Sequence, residues 1–99
     1  MAHIFEIIDK TSRIIYLTGG QWSHITSPTS LHAYMTSYLE EIKETLQKPD
    51  KISSSIYDKN KAYYYKFYKS RREYLKVIVN YLNGDGFVIT SYFVSNIVK

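Results

Sequence analysis

Near the middle of this chain the spacing of apolar residues changes, and that change limits what each half can become. Before Pro49, Leu31, Met35, Tyr38, Ile42 and Leu46 recur at intervals of three and four, as one stripe. After Asp50 the apolar positions alternate instead. The first spacing builds a helix with one buried side; the second builds strands. The pattern therefore predicts a helix over "SPTSLHAYMTSYLEEIKETLQK", with Ser27 as its cap and Pro28 in its first turn. Pro49 would end it near Lys48.

Strands account for the rest. "HIFEIID" and "SRIIYLT", separated by "KT", read as an N-terminal β-hairpin, which Gly19-Gly20 brings to an end. "KISSSIY", "KAYYYKFYK", "REYLKVIVNYL" and "FVITSYFV" read as a four-strand antiparallel meander, with "NGDG" as a tight turn. The expected fold is a single α+β domain over residues 1–99: a hairpin, then one main helix packed across the meander sheet. At 99 residues the chain has room for one modest core.

Alternation assigns side chains to faces. In the second meander strand Tyr63, Tyr65 and Phe67 share one face, and Tyr64, Lys66 and Tyr68 the other. In the last strand Phe87, Ile89, Ser91 and Phe93 alternate with Val88, Thr90, Tyr92 and Val94. With the more apolar face of each strand turned to the helix, Lys66, Thr90 and Tyr92 meet on the open face, together with Tyr64 and Tyr68. An ammonium, a hydroxyl and phenols on one face can hold a phosphate and stack a base. A plain solvated face can carry the same groups. Ser91, on the other face, is expected in or beside the core, bonded to backbone.

Thirteen Lys+Arg against nine Asp+Glu leave a net charge of +4, and tyrosine occurs eleven times. Both suit a polyanionic partner with unpaired bases, although tyrosine also suits half-buried strands. His24, in "GGQWSHITSP", carries the side chain best matched to proton transfer near neutrality. His32 lies on the flank of the helical stripe. Arg71 and Arg72, in "KSRRE", would grip a nucleic-acid backbone outside the site. There is no cysteine, which excludes disulfides and thiolate chemistry. No phosphate-binding glycine loop, HExxH or other ligand-spaced cluster occurs, so neither a metal site nor a cofactor is expected. The chain has no apolar run of roughly 20 residues and no signal-peptide pattern, so a soluble, cytoplasmic protein without a membrane partner is expected.

"W-S-H-I", "I-K-E-T-L-Q-K-P-D-K-I", "Y-Y-Y-K", "L-K-V-I-V" and "G-F-V-I-T-S-Y" follow one another along the chain. From about Trp22 to Tyr92 this order resembles small phage and bacterial nuclease-like domains of the barnase–EndoU–colicin–RelE-like superfamily. The resemblance implies a helix on a curved four-strand antiparallel sheet. It also implies metal-independent, toxin-like RNA cleavage on the open sheet face, often of transfer RNA. An antitoxin or immunity protein would be the matching partner. By the resemblance His24, Lys66, Thr90 and Tyr92 occupy the catalytic positions; Arg71, Arg72, Tyr64, Tyr68 and His32 are the residues expected around them on RNA. Many relatives carry a second histidine followed by proline and an acidic residue, where this chain has Ser27, Pro28 and Thr29. Two outcomes remain open: His32 supplies the missing group, or the chain is a non-catalytic RNA-binding or nuclease-inhibiting module.

Overall fold

The computed structural model describes residues 3–97. Six strands form one mixed sheet: β1 (Phe5–Ile8), β2 (Ile14–Leu17), β3 (Lys51–Ser54), β4 (Lys61–Tyr68), β5 (Glu73–Tyr81) and β6 (Asp85–Val94). Their spatial order is β1-β2-β6-β5-β4-β3. The meander β3 to β6 is antiparallel throughout, as its alternation predicts. The N-terminal hairpin joins the same sheet, because β2 runs parallel to the first half of β6. Gly86 is crowded from both neighbouring strands: a Cβ there would stand 2.8 Å from the Asn80 carbonyl oxygen of β5 and 3.2 Å from the Ile15 side chain of β2.

The helical half differs from its predicted form. α1 (Gly19–Thr26) begins directly after β2, and its N-cap Thr18 accepts a hydrogen bond from the Gln21 N–H at 3.0 Å. Ser27 and Pro28 end this helix rather than start the next, because a residue before proline is pushed to extended backbone; Ser27 has φ −54° and ψ 138°. A 3-10 segment (Ala33–Tyr38) then leads into α2 (Leu39–Gln47). Serine and threonine side chains compete for the backbone along this stretch: Ser30 Oγ accepts from the His32 N–H and Thr36 Oγ1 donates to the Ala33 carbonyl. The predicted stripe survives in Met35, Ile42 and Leu46, all fully buried, whereas Leu31 is 90% exposed.

α2 packs across β4 and β5, while α1 and the 3-10 segment cover the part of β6 that β2 leaves unpaired. Edge groups there find side-chain partners: the Gln21 amide donates to the Ile89 carbonyl, and the Phe93 N–H donates to Tyr34 Oη at 3.2 Å. One irregularity decides the faces of β6. Ile78 pairs with Thr90 but its neighbour Val79 pairs with Val88, so Ile89 is an extra residue, a β-bulge. Upstream of it Gly86 and Val88 are buried; downstream the burial shifts to Ser91 and Phe93. Val88 therefore joins the core and Phe87 the open face, the reverse of simple alternation. Ser91 does lie in the core, but its hydroxyl has no hydrogen-bond partner among the described residues.

β4 also presents the opposite side to the helices from the one its apolar content suggests. Ala62, Tyr64 and Tyr68 pack inward, because each phenol finds a partner there. Tyr64 Oη donates to Asp9 and lies 2.6 Å from Tyr81 Oη. Tyr68 Oη donates to Glu44 on α2 at 2.7 Å. Burial raises the pKa of both phenols well above the ordinary tyrosine range, and the adjoining Asp9 and Glu44 reinforce it. The unfolded chain loses these protons near pH 10 while the folded chain holds them, so folding stability should fall as pH rises beyond about 10. Phenolate absorbance should show a fraction of the tyrosines ionising only as the fold is lost. Ionisation of all the tyrosines together near pH 10, with the fold intact, would contradict this.

Candidate functional site

The face of the sheet turned away from α2 carries a run of aromatic residues. Register places Tyr65, Lys76 and Tyr92 side by side across β4, β5 and β6, with Tyr63, Ile78 and Thr90 in the adjacent row. Thr90 and Tyr92 thus share the open face, as expected. Towards the hairpin the aromatic surface continues: Tyr16 stacks with Phe87 at 6.0 Å and with His3 at 4.5 Å.

His24 stands exposed in the last turn of α1. It and His32 line one shallow concavity of about 340 Å³, together with Ser27, Thr29, Ser30 and Leu31. The turn forced by Pro28 brings the two histidines to the same hollow. His32 in turn lies flat on Tyr92, ring centroids 4.6 Å apart and planes 15° from parallel, with Tyr34 edge-on at 6.1 Å. The histidine hollow is therefore continuous with the strand that carries Thr90.

Lys66 does not join this group. It pairs with Leu75, a fully buried core residue, so its side chain starts from the helical side of the sheet. Tyr64 and Tyr68 leave the candidate RNA surface for the same reason: both are engaged in or against the core. Tyrosines on both sides of β4 gave its alternation no apolar contrast, which is why the faces were reversed. Of the lysines that register places on the open side, Lys51, Lys61 and Lys76, the one set among the aromatic rings beside Tyr92 is Lys76. Its Nζ lies 4.5 Å from the centre of the Tyr63 ring and 5.7 Å from those of Tyr65 and Tyr92. Lys76 had a sequence signal: it is the charged residue inside the apolar run from Leu75 to Val79, where a lysine must face away from the core. Tyr65, on the same face, is fully buried with its hydroxyl unpartnered among the described residues.

Arg71 is drawn into structure. Its guanidinium sits 4.2 Å from the Phe93 ring, meets Glu73 at 3.1 Å and donates to Tyr38 Oη at 3.3 Å. It ties the β4–β5 turn to the 3-10 segment. Arg72 is exposed at the tip of that turn, with φ 55°. Among the described residues no three His, Asp or Glu side chains gather as metal ligands. Comparison with protein-family models, curated proteins and solved structures finds no match to this chain.

Proposed function

We propose that this chain is a toxin-like endoribonuclease that cleaves RNA, with transfer RNA as the class its sequence resemblance suggests, by attack of the RNA's own 2′-hydroxyl. The stack of His32 on Tyr92 carries the reading, because it joins two proton-transfer groups to a sheet face bearing an ammonium and a hydroxyl. One histidine takes the 2′-hydroxyl proton as O2′ bonds to phosphorus. The other gives a proton to the 5′-oxygen as the P–O5′ bond breaks. Lys76 offsets charge growing on the non-bridging oxygens, and the Thr90 hydroxyl donates to one of them. Tyr92 holds His32 and offers its rim to the flanking base. The products are a 2′,3′-cyclic phosphate and a 5′-hydroxyl.

The test is incubation of the purified protein with total RNA in a chelator, followed by mass analysis of fragment ends. Cyclic phosphate ends are expected. Loss of the Lys76 ammonium in Lys76→Ala should slow cleavage by about a hundredfold or more, while Lys66→Ala, altered on the other side of the sheet, cleaves normally. The reverse ranking of the two lysines would discredit the assigned face. RNA retained intact on the protein would instead establish the non-catalytic binding module.

A further inference from the structure

The same lysine borders a second hollow. On the side of Lys76 away from the histidines lies a concavity of about 360 Å³, bounded by Ser53, Ser54, Ser55, Tyr57, Tyr63 and Lys76. Its rim belongs to the loop between β3 and β4, where Ile56 and Tyr57 stand 88% and 92% exposed. Large apolar side chains so fully in water gain nothing from the fold, and adjacent to a cleft they mark a contact surface. Nor do they hang on a slack loop. Ser55 Oγ accepts from the N–H groups of Tyr57 and Asp58, both at 3.1 Å; Asp58 accepts from the Asn60 N–H at 2.9 Å. The tip is held in place before any ligand arrives, which lowers the ordering cost of binding.

The chemistry of this hollow is specific about its occupant. Tyr57 and Tyr63 offer π faces, three serines offer hydroxyls able to meet a base edge, and Lys76 offers a cation 4.5 Å from the Tyr63 ring. That combination matches an unpaired nucleobase with its phosphate. The largely apolar lining, to which Ile56 also contributes, suits the face of a base, and the ammonium in its wall favours a nucleotide over an apolar protein anchor. Lys76 also flanks Tyr92, at 5.7 Å from its ring, so the hollow opens directly beside the proposed scissile phosphate.

We propose that the hollow between Tyr57, Tyr63 and Lys76 is a second nucleotide subsite, holding an unpaired base next to the phosphate that is cut. The proposal rests on the RNA-cleaving reading above and extends it: the substrate is single-stranded over at least two consecutive nucleotides.

A 2′-O-methyl pentanucleotide, which lacks the nucleophile, separates binding from cleavage. Its affinity can be measured by fluorescence anisotropy at moderate salt. Tyr57→Ala is expected to weaken binding roughly 5- to 150-fold, the range for loss of one base–aromatic stack. Tyr57→Phe keeps the ring and should bind within about twofold of wild type. A blunt RNA duplex of similar charge should bind equally to wild type and Tyr57→Ala. Because Tyr57 is almost wholly in solvent, neither variant threatens folding. Unchanged affinity of Tyr57→Ala for the pentanucleotide, with wild type binding it, overturns the subsite and leaves the cleavage reading standing. Weakened binding in a protein that leaves total RNA uncut upholds the subsite and overturns cleavage. A wild-type protein that does not bind the oligonucleotide overturns the subsite, and the fragment ends from total RNA then decide cleavage separately.

Discussion

Replacing His32 by alanine should slow RNA cleavage by about a hundred- to ten-thousand-fold, the usual contribution of one positioned acid or base. The melting temperature should hardly move, because the ring rests on Tyr92 and Tyr34 outside the main core. His24→Ala should cause a loss of the same order. The double variant should be little worse than either single one, since groups that act as a unit do not add. A structural role for His32 makes a different forecast. His32→Phe preserves a flat ring against Tyr92 but has no nitrogen to carry a proton. If His32 transfers a proton, phenylalanine is as damaging as alanine, and one limb of the pH–rate profile disappears. If cleavage persists in His32→Phe, the ring only positions Tyr92, and a single histidine, His24, must serve.

The largest stability effect is expected far from that hollow, at Asp9→Ala. Asp9 is only 5% exposed and organises the β1–β2 turn from within. Its Oδ1 accepts from the N–H groups of Thr11 and Arg13, both at 2.9 Å, and from Thr11 Oγ1 at 2.8 Å. Its Oδ2 accepts from Tyr64 Oη, which reaches it from β4 across the core. Arg13 then lies over the Tyr81 ring at 3.9 Å, which closes the circuit. Removing the carboxylate takes the acceptor from the buried Tyr64 hydroxyl and from the part-buried donors of the turn, and should cost about 3 kcal/mol, given what hydrogen bonds to charged groups contribute. In a domain of this size that lowers the melting temperature by roughly 12–24 °C. Urea unfolding should show an earlier midpoint with unchanged slope. Asp9→Asn keeps one acceptor oxygen and should fall in between. A midpoint within error of wild type for Asp9→Ala would mean that the turn holds without its carboxylate.

What could be read from the residues alone, and what could not, follows from which forces act locally. The four meander strands and the N-terminal hairpin were legible because alternation and turn chemistry are properties of neighbouring residues. The continuous helix was not, because apolar spacing passes through a 3-10 segment without a break: Met35 and Tyr38, three apart, face inward in either conformation. Pro28 was recognised as a helix signal and assigned to the wrong end. The side of β4 was hidden by tyrosine, whose ring and hydroxyl suit a core with partners as well as an open surface; only Asp9 and Glu44, remote in sequence, decide it. At the candidate site, His24, His32, Thr90 and Tyr92 occupy one contiguous region of the molecule. Lys66 is replaced there by Lys76, an exchange that required knowing which side of β4 is buried. The parallel pairing of β2 with β6 has no local signature at all.

The extra residue in β6 has one further implication. It lets two stretches of a single strand obey different inside–outside rules, so the packing of Val88 and the outward placing of Thr90 are set separately. Its carbonyl is also the one that the Gln21 amide holds, which makes this slip in register the anchorage of the helix bearing His24. Core and candidate site are thereby set by different stretches of one strand, so a substitution at the bulge is expected to alter the reach from imidazole to hydroxyl before it disturbs the hydrophobic layer beneath.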